Sequence, residues 1–126
     1  MSNLVSYFWV ALGGSLGSMA RYWMTQVVAQ VVGETFPWGT LLVNILGSFV
    51  IGWFMPLPTS EGMRLFVTVG ICGGFTTFSA FSIQTFNLLR DGENLLALAY
   101  IVASVLLSVT ATVIGHHAAV GMAVRA

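Results

Sequence analysis

Long apolar runs dominate this chain, and short polar connections separate them. Of its 126 residues, 57% are hydrophobic and only 6% are charged, whereas a soluble domain carries about 25% charged residues. Such a chain has too few polar side chains to cover a water-facing surface. The sequence therefore predicts an all-α integral membrane protein with four transmembrane helices, over residues 4–32, 38–55, 63–89 and 95–117.

Length, net charge and cysteine content narrow this prediction. The length suits one unit, so we expect a single four-helix transmembrane domain over residues 1–126. The formal net charge is zero, which gives no reason to expect a nucleic acid partner. Cys72 is the only cysteine, so the sequence excludes an internal disulfide and a multi-cysteine metal site.

A polar, glycine-rich stretch interrupts the third apolar run between Gly70 and Ser82. A membrane helix can unwind only where protein or a water-filled cavity satisfies the freed backbone groups. Adjacent glycines, here Gly73 and Gly74, are the least costly place to unwind. We therefore predict that the third helix is broken near mid-membrane, around residues 73–76, as at the ion and substrate sites of transporters.

The arginines give almost no preference for one orientation in the membrane. Orientation follows the Lys and Arg content of short loops, but this chain has no lysine. With the N-terminus inside, Arg64 and Arg125 lie inside and Arg90 lies outside. We therefore expect that the chain can insert both ways round, so that two oppositely oriented copies pair about an axis in the membrane plane.

Apart from Arg64 at the very start of the third span, Arg21 is the only charged residue predicted inside a membrane span. Charges inside the membrane are costly and usually functional. Alternatively, the long first helix places Arg21 near one end, where its side chain reaches the interface. Both interpretations stay open. No Asp or Glu falls within a predicted span, which disfavours an exporter of cations and favours an anion or a neutral solute.

Polar side chains recur every four residues along the fourth predicted helix and therefore share one face. They are Tyr100, Ser104, Ser108, Thr112 and His116. Their hydroxyl groups can donate to an anion and carry no negative charge that would repel it. Alternatively, serine and threonine hydroxyls bond back to their own helix. A run of this length favours a polar track for ions.

Further candidate ion contacts lie on the second and third predicted helices. Asn44 is the one strong polar side chain of the second helix, so it must find a partner or face ions. Phe75, Phe78 and Phe81 share a helix face, and their ring edges can line an anion path, although composition favours simple packing. Carbonyl groups freed around residues 73–76 can hold a monovalent cation.

Three motifs follow one another in this chain. The central motif, over residues 73–82, is Gly-Gly-Phe-Thr-Thr-Phe-Ser-Ala-Phe-Ser. The two weaker motifs are Gly39 to Asn44 after Pro37-Trp38, and Gly13-Gly14 with Gly17 and Arg21. Together they resemble the Fluc/CrcB family of fluoride channels. The resemblance covers essentially the whole chain, and its central motif is the specific part.

This resemblance implies a passive, fluoride-selective channel that exports fluoride from the cytoplasm. It implies a multi-pass protein of the cell inner or plasma membrane, embedded in the lipid bilayer. Members of the family have four helices, as predicted for this chain. The resemblance implies an antiparallel, dual-topology homodimer with two pores, each built from both subunits. It also implies a structural sodium ion at the dimer interface, and no enzymatic activity.

The resemblance further implies roles for individual residues. Phe78 and Phe81 match the paired phenylalanines whose ring edges line each pore, one from each subunit. Arg21 matches a vestibule arginine that draws anions in. The backbone carbonyls of Gly73 and Thr76 match those that bind sodium. The other pore-lining matches are Asn44, Thr77, Tyr100, Ser104, Ser108 and Thr112.

Two positions depart from the family pattern. Gln84 stands where many relatives carry Glu, and Ala80 stands where the motif has a hydroxyl residue. If the carboxylate tunes conduction, that property differs in this chain. Two other functions stay open at this point: a small-anion or proton-coupled transporter that uses the broken helix, and a structural membrane subunit that serves a larger partner.

Overall fold

Every regular element of this chain is helical, as the sequence predicts. The computed structural model describes all 126 residues, Met1 to Ala126. The helices are α1 (Asn3–Val32), α2 (Trp38–Phe54), α3 (residues 61–75), α4 (Phe78–Arg90) and α5 (Asn94–Arg125). Within α3, Glu61–Arg64 is α-helical, Leu65–Cys72 is π-helical and Gly73–Phe75 is α-helical again.

Capping residues set several helix ends. Ser2 Oγ accepts a hydrogen bond from Val5 N at 3.4 Å and so caps the start of α1. Ser60 Oγ accepts from Met63 N at 3.3 Å and caps α3 in the same way. Gly33 follows the last residue of α1 with a φ of 83°, a left-handed conformation that glycine adopts without strain. The chain therefore turns at the predicted loops.

The last helix is longer than predicted. The other helix bounds lie within two residues of the expected ones, but α5 continues past residue 117 to Arg125. Residues 118–125 include three alanines, the strongest helix former, and no proline. Local propensity therefore extends α5 beyond the apolar run from which its end was estimated.

Two pairs of helices pack lengthwise, with backbone close to backbone. α1 packs on α3, and α2 packs on α5. A Cβ atom on Gly17 would clash with the carbonyl oxygen of Ile71 in the first pair. In the second pair, a Cβ on Gly52 would clash with the carbonyl oxygen of Thr112. Small residues permit this approach, as is common between membrane helices.

A small apolar core lies where α2, α4 and α5 meet. Leu41, Leu88, Ala97 and Tyr100 form this core, and Phe81 packs against it. Tyr100 is fully buried, at 0% exposure. The core therefore fixes the direction in which α4 leaves the interruption of the third segment.

Most of the molecular surface is apolar. Only 17 of 126 residues are buried, and large apolar side chains are exposed along α1, α2 and α5. By length and composition, Glu61–Arg90 and Asn94–Arg125 can each cross a membrane. α2 is apolar but has 17 residues, the lower end of the roughly 17 to 25 that span a bilayer. This surface is that of a membrane protein.

Candidate functional site

The interruption of the third segment lies at Thr76 and Thr77, where the backbone is extended. Their φ and ψ angles are −82° and 157°, and −153° and 119°. The side chain of Asn44 on α2 pairs with this extended backbone. Its Oδ1 accepts from Thr77 N at 2.7 Å, and its Nδ2 donates to the Thr77 carbonyl at 3.2 Å. Asn44 thus satisfies backbone groups that the break sets free.

The predicted break of the third helix is present, at Thr76 and Thr77, but the expectation that Gly73 and Gly74 unwind is wrong, because both glycines are helical. Their neighbours show what Gly74 does instead. A Cβ atom on Gly74 would crowd the carbonyl oxygen of Gly14 and the backbone nitrogen of Ser18. Gly74 therefore lets α1 approach α3, and the helix unwinds only where Asn44 can bond to the freed backbone.

The break leaves the carbonyls of Gly73 and Thr76 without their usual helical donors. In an α-helix the carbonyl of residue i accepts from the N–H of residue i+4. For Gly73 this donor is Thr77 N, which bonds to Asn44 instead. For Thr76 it is Ala80 N, which donates to Thr77 Oγ1 at 3.1 Å. The two carbonyls predicted to bind a cation are therefore free of these helical bonds.

A cleft of about 400 Å³ lies beside the break. It gathers eight of the predicted site residues from α2, the broken segment and α5. They are Asn44, Gly73, Thr76, Thr77, Phe78, Phe81, Ser104 and Ser108. No charged side chain lines the cleft. Three residues that were not predicted as site residues, Ser48, Thr68 and Cys72, complete its polar wall.

Two serine hydroxyls in the cleft have no partner within the chain. Ser104 Oγ and Ser108 Oγ are buried and form no hydrogen bond. A buried polar group left unpaired costs about 1–3 kcal/mol. The interpretation that the hydroxyls of this stripe bond back to their own helix holds for Thr112, whose hydroxyl lies 3.2 Å from the Ser108 carbonyl, but not for these two. Their pore-lining role stays a prediction.

Aromatic rings continue from the cleft towards the core. The ring centroids of Phe78 and Phe81 are 5.3 Å apart, and those of Phe81 and Tyr100 are 5.1 Å apart. Phe78 is 78% exposed, whereas Phe81 is half-buried. The exposed ring of Phe78 thus stands at the open side of the cleft, and Phe81 lies between it and Tyr100.

Tyr100 lies outside the cleft, in a short hydrogen-bond chain. Its hydroxyl donates to Gln84 Oε1 at 2.8 Å, and Gln84 Nε2 donates to Thr40 Oγ1 at 2.9 Å. Thr40 and Gln84 also line a second cleft of about 340 Å³, next to Trp38. The sequence left the role of Gln84 open and did not reveal its partners, although Thr40 is one helical turn from Asn44.

Thr112 also lies outside the cleft. Its one hydroxyl proton is shared between the Ser48 carbonyl, at 3.0 Å, and the Ser108 carbonyl, at 3.2 Å. Thr112 borders a third cleft, of about 430 Å³, together with His116 and His117. Because its hydroxyl is already bonded, Thr112 is a weaker candidate for ion contact than the serines, and its pore-lining role stays a prediction.

Arg21 is half-buried and contacts the broken segment. Its Nε donates to the carbonyl of Gly74 at 2.9 Å. The structure has one salt bridge, between Arg90 and Asp91, so Arg21 forms no ion pair. The bond to the break links Arg21 to the site, which the interface interpretation does not require. Its vestibule role stays a prediction.

Comparisons with known proteins point to one family. A family model described as "CrcB-like protein, Camphor Resistance (CrcB)" matches residues 8–116. The chain is 52% identical over 123 residues to "Fluoride-specific ion channel FluC" of Opitutus terrae, which covers 92% of this chain and 93% of the relative. Proteins of the same name from Methylocella silvestris and Rhodospirillum rubrum are 47% and 46% identical. These matches cover 94% and 92% of the chain, and 95% of each relative.

Proposed function

The chain belongs to the CrcB family, and from this membership and the cleft beside the break we infer that it is a fluoride-specific ion channel and not an enzyme. The observation that carries the inference is the pair of unpartnered hydroxyls of Ser104 and Ser108 in a cleft without charged side chains. A pore must replace the water around an ion but bind it weakly enough for exit. Neutral donors and phenylalanine ring edges suit an anion in this way.

Passive flow explains the site better than a proton-coupled carrier. The named relatives are ion channels. A proton-coupled carrier needs a titratable group on the ion path, and the wall of the cleft has no Asp, Glu or His. We propose that fluoride leaves the cytoplasm through this protein down its own gradient.

We propose that the channel is an antiparallel homodimer whose subunits each span the cell inner membrane four times. The cleft supports this proposal because one wall is missing: Phe78 is 78% exposed there, and Gly73 is exposed beside it. A second copy would complete the wall and create two equivalent pores. The near absence of an arginine bias between the two membrane faces supports opposite orientations of the copies.

We propose that a structural sodium ion lies at the dimer interface on the carbonyls of Gly73 and Thr76. Both carbonyls lack their helical donors, and unwound helix carbonyls are the ligands that transporters use for sodium. The chain has no cluster of three or more His, Cys, Asp or Glu side chains that suits another metal. When bound, the ion supplies positive charge that neutralises the facing carbonyl dipoles.

Fluoride efflux from liposomes tests the proposed function directly. Purified protein is reconstituted into liposomes loaded with fluoride or chloride, and release is followed with ion-selective electrodes. We expect rapid fluoride release and no chloride release above that of protein-free liposomes. Folded protein that releases no fluoride would contradict the proposal. Saturating fluoride flux that depends on a proton gradient would favour the carrier.

A further inference from the structure

We propose that the side chains of Asn44 and Thr77 are positioning residues for the cation site, because they keep the carbonyls of Gly73 and Thr76 free of helical hydrogen bonds. The proposal rests on the sodium site proposed above. It gives the two side chains a task that is separate from lining the ion path, and that a measurement of sodium binding can detect.

Asn44 acts on the first carbonyl. The N–H of Thr77 is the only backbone donor in α-helical register with the Gly73 carbonyl. Asn44 Oδ1 accepts this N–H at 2.7 Å, and Asn44 Nδ2 holds the carbonyl of the same residue at 3.2 Å. The two bonds together fix Thr77 in its extended conformation. Without them, the Thr77 N–H is free to return to Gly73 and compete with a cation for its oxygen.

Thr77 acts on the second carbonyl. Its hydroxyl accepts the N–H of Ala80 at 3.1 Å, as the N-cap residue of α4. In a continuous helix that N–H would bond to the carbonyl of Thr76. The cap thus starts α4 and releases the Thr76 carbonyl in one contact.

Other backbone groups at the break differ in their hydrogen bonds. Thr76 N keeps its helical bond to the Cys72 carbonyl, at 2.9 Å. The Gly74 carbonyl, which lies between those of Gly73 and Thr76 in sequence, accepts from Arg21 Nε at 2.9 Å. Asn44 and Thr77 therefore act on the first and the last carbonyl of this stretch.

The geometry also limits what Asn44 can do as an ion ligand. Its Oδ1 and one of its two amide hydrogens are engaged with Thr77. One amide hydrogen remains for an ion in the cleft, which Asn44 also lines. A substitution at Asn44 is therefore expected to change sodium binding as well as fluoride flux, whereas a purely pore-lining residue changes flux alone.

Sodium-dependent thermal stability of the purified protein measures the cation site without any flux assay. A ligand that binds only the folded state adds RT ln(1 + [L]/Kd) to its stability, so the melting temperature rises once the ligand concentration exceeds its Kd. We would titrate sodium at a constant total concentration of sodium plus N-methyl-D-glucamine. The sodium midpoint is then the concentration at which the stabilisation reaches RT ln 2, which equals the Kd. We expect Asn44→Ala and Thr77→Val to raise this midpoint about tenfold, because each lets a backbone donor compete with sodium at one ligand.

Two controls separate positioning from other effects. Thr77→Ser keeps the capping hydroxyl and is expected to retain the wild-type sodium midpoint. Phe81→Ile changes the cleft without touching the break, so it is expected to lower fluoride flux and leave the sodium midpoint unchanged. If Asn44→Ala does not fold, the comparison of Thr77→Val with Thr77→Ser decides.

The outcomes distinguish a failure of the positioning role from a failure of the proposed sodium site or of the proposed channel function. A wild-type protein that conducts fluoride but shows no sodium-dependent stabilisation would remove the sodium site, and with it this inference. If Asn44→Ala and Thr77→Val both retain the wild-type sodium midpoint, the positioning role is overturned, whereas the proposed sodium site is not contradicted. A wild-type protein that conducts no fluoride but is stabilised by sodium would contradict the proposed channel function and not this inference.

Discussion

Hydroxyl groups on α5 differ in where their hydrogen bonds go. The hydroxyls of Ser104 and Ser108 are buried without partners, whereas the hydroxyl proton of Thr112 is shared between two backbone carbonyls. The spacing of four that placed all three on one face is correct, but spacing does not reveal which hydroxyls are already bonded. That depends on α2, because Gly52 brings its backbone close to Thr112.

Removal of the two free hydroxyls is expected to separate function from stability. In the double variant Ser104→Ala and Ser108→Ala, we expect fluoride flux to fall at least about tenfold, because hydrogen bonds to charged groups are worth about 1.5–3 kcal/mol. We expect the melting temperature to stay the same or rise, since no bond within the subunit is lost. Liposome efflux and thermal unfolding measure the two effects.

A matched control for this prediction lies on the same helix. Thr110 is exposed and does not line the cleft, so Thr110→Val removes a hydroxyl without affecting the site. Its flux is expected to equal that of the wild type. If the double serine variant also shows wild-type flux, these hydroxyls do not contribute to the ion path.

Asn44 shows how far residue-level inference from the sequence reaches. A strong polar side chain in an apolar helix predicts that a partner exists, and this much was available from the sequence. The partner is the backbone of Thr77, and no side-chain pattern identifies a backbone partner on another helix. The chain from Tyr100 through Gln84 to Thr40 was missed for the related reason that it joins three helices.

At the scale of helices, the break shows a conflict between local preference and tertiary contact. Glycine pairs mark where unwinding is least costly, which led to Gly73 and Gly74. The helix unwinds at Thr76 and Thr77 instead, where Asn44 satisfies the freed backbone. Apart from the end of α5, the helix bounds were predictable because apolar runs set them, whereas the π-helical stretch Leu65–Cys72 has no signature in the apolar pattern.

The packing of α1 on α3 gives a prediction at this scale. A Cβ atom on Gly17 would clash with the carbonyl oxygen of Ile71, and backbone atoms cannot rotate away as a side chain can. We expect Gly17→Ala to destabilise the fold by about 1–3 kcal/mol, seen as a lower melting temperature and a lower yield of folded protein.

Gly14 provides the comparison for this variant, on the same helix. A Cβ atom there would meet nothing within 4 Å. Gly14→Ala is therefore expected to be neutral or slightly stabilising, since alanine is the better helix former by about 0.5–1 kcal/mol. Equal melting temperatures for the two variants would show that the close approach of α1 and α3 does not limit stability.

At the scale of the whole molecule, the single chain leaves most of its surface and one side of its cleft uncovered. Only 17 of 126 residues are buried, and the cleft that gathers the site residues has an exposed phenylalanine at its open side. The sequence led to an antiparallel dimer by a different route, the near balance of arginines between the two faces. Charge balance and the open cleft are independent arguments for the same assembly.

If copies of the chain insert in opposite orientations, the same loop lies on one side of the membrane in half of the copies and on the other side in the rest. With Asp91→Cys, in the exposed turn between α4 and α5, we expect a membrane-impermeant maleimide to label about half of the protein in intact spheroplasts. The other half should react only after permeabilisation. The wild type is the control, because its one cysteine, Cys72, is buried. Complete labelling from one side would contradict dual topology.

The contact between α1 and α3 also bears on how this sequence can diverge. The obstacle to a larger residue at Gly17 is the main chain of Ile71, and the obstacle at Gly13 is that of Phe66. Every amino acid has that carbonyl, so no replacement at position 66 or 71 makes room. A substitution at one position of such a pair therefore cannot be compensated by a substitution at the other. We therefore expect no second-site substitution along this contact to restore a variant at Gly13 or Gly17. We also expect no covariation between homologous sequences at the positions where the two helices are closest.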